Sequence, residues 1–110
     1  MTYKVVRHDT AYVVHLHGDR LDGQGAPALK LELKRLLETR SITVVVDFSK
    51  ITFVDSSALG ALVAGVRAAA RSGGRLRVAG LCPNVQATFE LAHLDRIFDI
   101  FPTEGEALAS

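Results

Sequence analysis

The run Phe53-Val54-Asp55-Ser56-Ser57-Ala58-Leu59-Gly60 holds the side chains best placed for chemistry, an aspartate and two hydroxyls in succession. They lead into an uncharged stretch, residues 56–66, with the apolar spacing of a helix. Asp or Ser at a helix start accepts an unpaired N–H of the first turn, which is worth roughly 1 kcal/mol. One such residue suffices for capping, so three in a row leave hydroxyls over. The functional reading is a modifiable serine. A phosphate there would carry about −1.5 to −2 charges against the positive end of the helix dipole. The helix tolerates that group, so its effect falls on whatever docks against this corner.

The spacing predicts a helix over Ser56–Ser72, with Leu59, Leu62, Val63, Val66 and Ala70 on its buried face. The other side near the N-terminus holds Gly60, Ala61, Ala64 and Gly65, all small and uncharged. Two readings stand side by side. Such a patch can receive a partner helix, or it can pack closely against a neighbouring helix of the same chain.

Other candidates carry less. His15 and His17 share one face of a strand, but two ligands are too few for a metal site. Hairpin pairing would set His15 opposite Lys4 and leave His8 near Ala11, so a third histidine does not converge. Cys82 precedes Pro83 at a helix start and reads as a small packed side chain. Arg67, Arg71, Arg75 and Arg77 read as a solvated surface. Asp47 ends a strand without the acidic pair and late lysine of a phosphoacceptor aspartate. Residues 18–25 are glycine-rich, but Asp19 and Asp22 would repel a phosphate. No P-loop, dinucleotide fingerprint or Ser/His/Asp order is present. No catalytic residue, metal ligand set or cofactor site is expected.

The elements that must position the serine are legible in outline. Residues 3–7 and 11–17 read as an antiparallel hairpin, with Tyr12, Val14 and Leu16 on one face. After the loop, Pro27 opens a helix with Leu29, Leu33, Leu36 and Leu37 in register. Leu31 falls on its opposite side, as a second contact or an exposed leucine. Residues 42–48, Ile-Thr-Val-Val-Val-Asp-Phe, form the clearest strand. Lying between helices, it should run parallel to its neighbour by a right-handed crossover. Residues 49–55 lead to the serine-headed helix, which stops at Ser72-Gly73-Gly74. A strand at 76–79 follows, with Leu76 and Val78 facing one way and Arg75 and Arg77 flanking the other. Pro83 opens a third helix with Val85, Phe89 and Ala92 in register. A last short strand lies at 97–101, and Thr103 caps a terminal helical turn. The sum is a mixed, mostly parallel α/β sheet of four or five strands. His15, His17, Arg75 and Arg77 place polar groups on one sheet face, so helices should lie mainly on the other.

Composition bounds the rest. At 110 residues, 48% hydrophobic, the chain makes one domain, residues 1–110, and is too apolar for disorder. A net charge of +1 argues against nucleic acid as a direct partner. One cysteine excludes an internal disulfide framework. There is no apolar signal core at the N-terminus and no stretch long enough for a membrane span. A cytoplasmic protein is expected.

With these segments in place, Asp55-Ser56-Ser57-Ala58-Leu59-Gly60 closely resembles the Asp-Ser-Ser-Gly-Leu-Gly motif of the STAS domain, the family of bacterial anti-sigma factor antagonists. The resemblance covers almost the whole chain. Residues 16–22 look like the family's Leu-x-Gly-x-Leu-Asp segment, with one residue more. Residues 42–48 look like its central strand, and Ser72-Gly73-Gly74-Arg75-Leu76 like the turn before its next strand. Residues 94–98 and 101–104 resemble its C-terminal strand and turn. Ala58 stands where the family commonly has glycine.

The resemblance implies a partner-switching regulator and not an enzyme. The unphosphorylated form binds a cognate anti-sigma factor that is also a serine kinase, freeing the sigma factor for transcription, as in a stress response. Phosphorylation breaks that complex, and a serine phosphatase resets it. By position, Ser56 is the phosphoacceptor. Asp55 neighbours the phosphate or orients the serine, and Ser57 caps the helix. Asp22, Ala58, Gly60, Ala61 and Ala64 fall on the partner-binding side. The alternative of a different class is a constitutive scaffold or adaptor subunit of a signalling or transport complex. A small-ligand sensor using the glycine loop is the third reading.

Overall fold

Residues 3–38 and 41–110 are described by the computed structural model. A five-stranded sheet runs in the order β1 (Tyr3–His8), β2 (Ala11–Leu16), β4 (Thr43–Asp47), β6 (Arg75–Ala79), β7 (Asp99–Phe101). β1 and β2 are antiparallel with Lys4 opposite His15, as the hairpin reading expects, and the remaining pairs are parallel. Helices α1 (Ala26–Leu37), α2 (Ser56–Ser72) and α3 (Pro83–Leu91) connect the strands, and α4 (Glu104–Ala109) closes the chain. Two further strands, β3 (Arg20–Leu21) and β5 (Phe53–Val54), form a separate parallel pair. They are two residues each, too short to show a period; β3 lies where the sequence reads as a glycine-rich loop, and β5 in the segment that leads into α2.

Most of the core lies between one sheet face and α1 to α3. Val14, Leu16, Val44, Val46 and Val78 meet Leu29, Leu33, Leu62, Val85 and Phe89 there. Phe89 stands edge-on to both Phe48 and Phe98, with centroids 6.1 and 5.6 Å away. Leu31 points away, 70% exposed. Ala92 lies just past the end of α3 and is exposed, so the third apolar position of that helix does not join the core.

The second face departs from the solvated surface expected of it. α4 lies across it, and Val13, Val45 and Ala79 form a small second core with Ala107. This explains why the central strand reads Val-Val-Val without alternation, since it is covered on both sides. The polar residues on that face anchor the helix. Arg77 donates from Nη1 to the carbonyls of Ala107 and Ser110, each at 2.8 Å, satisfying otherwise unpaired groups at the end of α4. Thr103 Oγ1 accepts the Glu106 N–H at 3.2 Å and caps the other end, as its sequence position suggests.

α2 begins and ends where the sequence places it. Gly73 ends it in the left-handed region at φ 78°, and Gly74 N–H bonds back to the Ala69 carbonyl at 2.9 Å. Its buried arc is rotated from the leucine stripe. Ala58, Ala61, Leu62, Gly65, Ala68 and Ala69 are buried, while Leu59, Val63 and Val66 are half-buried and Ala70 is exposed. The cause is that α2 packs on α1 as well as on the sheet. Gly65 marks the tightest approach: a Cβ there would stand 2.8 Å from Leu76 Cδ2 and 3.1 Å from Leu33 Cδ1.

Gly65→Val should therefore lower the unfolding free energy by about 1–3 kcal/mol through overpacking. Gly60→Ala, whose Cβ meets nothing within 4 Å, should raise it by up to about 1 kcal/mol through helix propensity. Urea unfolding of both variants checks the pair; equal effects would contradict the packing.

Candidate functional site

The corner is built around Asp55. It is the N-cap of α2, in extended conformation at φ −116° and ψ −175°. Its Oδ1 accepts the Ala58 N–H at 3.0 Å, and its Oδ2 accepts the Gly23 N–H at 3.1 Å. One carboxylate thus caps the helix and ties down the loop between β3 and α1. The cap expected of Ser57 belongs to Asp55 instead, because the residue just outside the helix has the extended backbone that lets a short side chain reach back.

The loop is fixed from several sides. Asp22 Oδ1 accepts the Gln24 N–H at 3.1 Å, and its carbonyl accepts the N–H groups of Gly25 and Ala26 at 3.0 and 2.7 Å. Asp22 therefore shapes the turn into α1, with Arg20 Nη1 3.9 Å from its carboxylate. The Asp19 carbonyl accepts from Thr52 N–H at 2.7 Å and from Thr52 Oγ1 at 3.1 Å. Asn84 Nδ2 donates to the Thr52 carbonyl at 2.8 Å and brings in α3. Three helices and the small sheet converge on a few residues.

On this platform Ser56 and Ser57 are exposed. Ser56 is the first residue of α2, and its hydroxyl bonds no other group among the described residues. A Cβ on Gly23 would lie 3.6 Å from Ser57 Oγ, so the loop passes beside the second hydroxyl and leaves the first clear. With Ala58 and Leu59 N–H groups bonded to Asp55, those of Ser56 and Ser57 remain at the positive end of the helix.

The small residues divide. Gly60 is exposed and Ala64 half-buried, but Ala58 at 0% and Ala61 at 3% are buried. The expectation that Ala58 and Ala61 present side chains to a partner is corrected: their methyl groups fill the space beneath the corner. What faces outward is a shallow groove between α1 and α2, lined by Ala26, Pro27, Lys30, Ser57, Gly60 and the edge of Ala61. Sequence reasoning missed Phe53, which is 43% exposed beside the corner with the Arg20 guanidinium 5.2 Å from its ring centroid. A large aromatic three residues before the serine was its only signal.

On the α4 side the structure brings together residues that the sequence keeps apart. His15 Nδ1 lies 2.9 Å from Asp47 Oδ2 and 3.5 Å from Glu104 Oε1. Burial pushes the Asp47 carboxyl up, but hydrogen bonds from His15 and from Ser49 N–H outweigh it and hold the group below its ordinary value. His17 takes no part in this cluster. No helix of the described residues is long and apolar enough to cross a membrane.

Comparison with known proteins places this geometry in a family. The STAS domain family model matches residues 2–107. The anti-sigma-B factor antagonist of Listeria monocytogenes is 24% identical over 106 residues, covering 96% of this chain and 93% of that protein. The crystal structure of an anti-sigma factor antagonist from Mycobacterium paratuberculosis superposes with a TM-score of 0.84 at 29% identity, covering 98% of this chain and 91% of that one. The Bacillus cell fate determinant SpoIIAA, solved in its phosphorylated form, shares the fold with a TM-score of 0.74 at 19% identity, covering 98% and 97%.

The double use of the Asp55 carboxylate can be measured directly. Asp55→Ala should lower stability by about 1–2 kcal/mol, more than Ser57→Ala, which should stay within about 0.5 kcal/mol. Thermal unfolding of the two variants checks this, and a larger loss with Ser57→Ala would return the cap to that residue.

Proposed function

Because this chain belongs to the STAS domain family, we propose that it is an anti-sigma factor antagonist switched by phosphorylation of Ser56. The observation that carries this reading is the placement of Ser56. It is exposed at the first position of α2, with its hydroxyl unengaged, on a corner held rigid by Asp55. A kinase can reach that oxygen without unfolding anything.

The switch follows from charge. Unmodified, the corner offers an uncharged surface of Ser56, Ser57 and Gly60 beside the groove, with Phe53 and Lys30 at its edges. A partner's helix or loop docks there by close approach to small residues. Phosphate transfer to the Ser56 hydroxyl changes the chain's net charge from +1 to about −1. The helix N-terminus and the free Ser56 and Ser57 N–H groups stabilise the new charge. The protein keeps its fold while the docking surface acquires bulk and two negative charges. A partner surface fitted to the unmodified corner must then desolvate a phosphate, and the complex breaks. That SpoIIAA has been solved in phosphorylated form supports the compatibility of this fold with such a group.

The partner is an anti-sigma factor with serine kinase activity, and a serine phosphatase restores the unmodified form. The protein acts in the cytoplasm as one STAS domain, catalyses nothing itself, and works without direct contact with nucleic acid or membrane. Asp55 and Asp22 serve by holding the corner in shape.

Incubation with the cognate kinase and ATP should add one phosphate, retained in Ser57→Ala and absent from Ser56→Ala. Ser56→Asp should weaken kinase binding at least about tenfold, equivalent to about 1.4 kcal/mol, with an unchanged circular dichroism spectrum. Labelling of Ser57 would overturn the site assignment. Binding indifferent to charge at Ser56 would favour a constitutive scaffold.

A further inference from the structure

The cluster of His15, Asp47 and Glu104 is independent of the serine corner and unexplained by it. We propose that it is a binding site for a divalent transition-metal ion, with Zn2+ as the representative, which fastens α4 to the sheet.

Three observations converge. The first is the donor set. An imidazole nitrogen and two carboxylate oxygens lie within 4.8 Å of one another, all three residues half-buried. Nitrogen and oxygen donors of this kind suit zinc and its neighbours. The two carboxylates together carry a charge of about −2, which a dication cancels.

The second is spacing. Metal–ligand bonds of about 2.0–2.2 Å in tetrahedral arrangement put neighbouring donors roughly 3.3–3.6 Å apart. The His15–Asp47 and His15–Glu104 separations of 2.9 and 3.5 Å stand close to that range. The fourth position faces solvent and takes water, since the three side chains are 16–31% exposed.

The third is preorganisation. His15 and Asp47 are register partners on adjacent parallel strands, so their side chains share a sheet face. Ser49 N–H donates to Asp47 Oδ1 at 2.9 Å, which fixes the carboxylate and leaves Oδ2 turned to His15. Outer hydrogen bonds of this kind orient metal ligands. The Thr103 cap sets the backbone at the start of α4, from which Glu104 reaches His15.

Isothermal titration of ZnCl2 into the full, untagged chain at neutral pH should show one saturable site, with MgCl2 as the control that shows none. Glu104→Gln, at the first position of a short surface helix, leaves the core untouched and should weaken Zn2+ binding by more than the roughly ten- to hundredfold that loss of an outer partner causes. His15→Ala should do the same, while His17→Ala and His93→Ala retain the site. Circular dichroism without metal verifies the fold of each variant. The melting temperature of the parent chain should rise with Zn2+ concentration, and that rise should vanish in Glu104→Gln. No saturable Zn2+ binding, or binding that survives both Glu104→Gln and His15→Ala, would overturn the site.

Discussion

Everything at the serine corner depends on one carboxylate used twice. Asp55 reaches forward to the Ala58 N–H and sideways to the Gly23 N–H. The first bond starts α2, and the second fixes a loop that the chain left more than thirty residues earlier. The second joins the anchors that Asp19, Asp22 and the β3–β5 pair already give residues 18–25. With it, the turn into α1, the β3–β5 pair and the α2 N-terminus form one block. The serine next to Asp55 is left facing solvent because its neighbour has already met the helix's need for a cap.

Small residues extend that logic. Ala58, Ala61 and Gly65 are buried and let α2 sit close to α1 and the sheet. The two helices thereby form a shared rim with a shallow groove, and Gly60 opens it further. As the proposed docking surface, this rim would gain specificity from close approach. It would also be sensitive to one added charged group, since Ala26, Pro27, Ser57 and Gly60 line it with short side chains. In the proposed switch, packing and docking rest on neighbouring residues, with the buried ones holding the position that the exposed ones present.

Much of this was legible in the sequence, and what was not has physical reasons. The ends of α2 are local: Asp55 and Gly73 sit beside the residues they cap. The hairpin and the Val44 to Val46 strand are carried by short-range pattern. The buried arc of α2 was misplaced because leucines weigh heavily on a helical wheel, whereas a neighbouring helix already rich in leucine selects alanine and glycine. The capping role passed from Ser57 to Asp55 because the sequence shows three candidates and only backbone geometry chooses among them. α4 hid its importance behind six residues and polar anchors. Arg77, His15 and Asp47 look like a solvated strand face until the last helix folds onto them. Likewise, a metal reading restricted to histidines could not find Glu104, which lies far along the chain from His15.

The central claim is that the corner accepts a phosphate at Ser56 without rearranging the fold. Two-dimensional 1H–15N spectra of the chain before and after phosphorylation test it most directly. Shifts confined to residues 20–25 and 52–60, with the five-stranded sheet unmoved, are the predicted result. Shifts spread through the sheet and α4 would contradict it, because the switch would then be a change of conformation and not of surface charge.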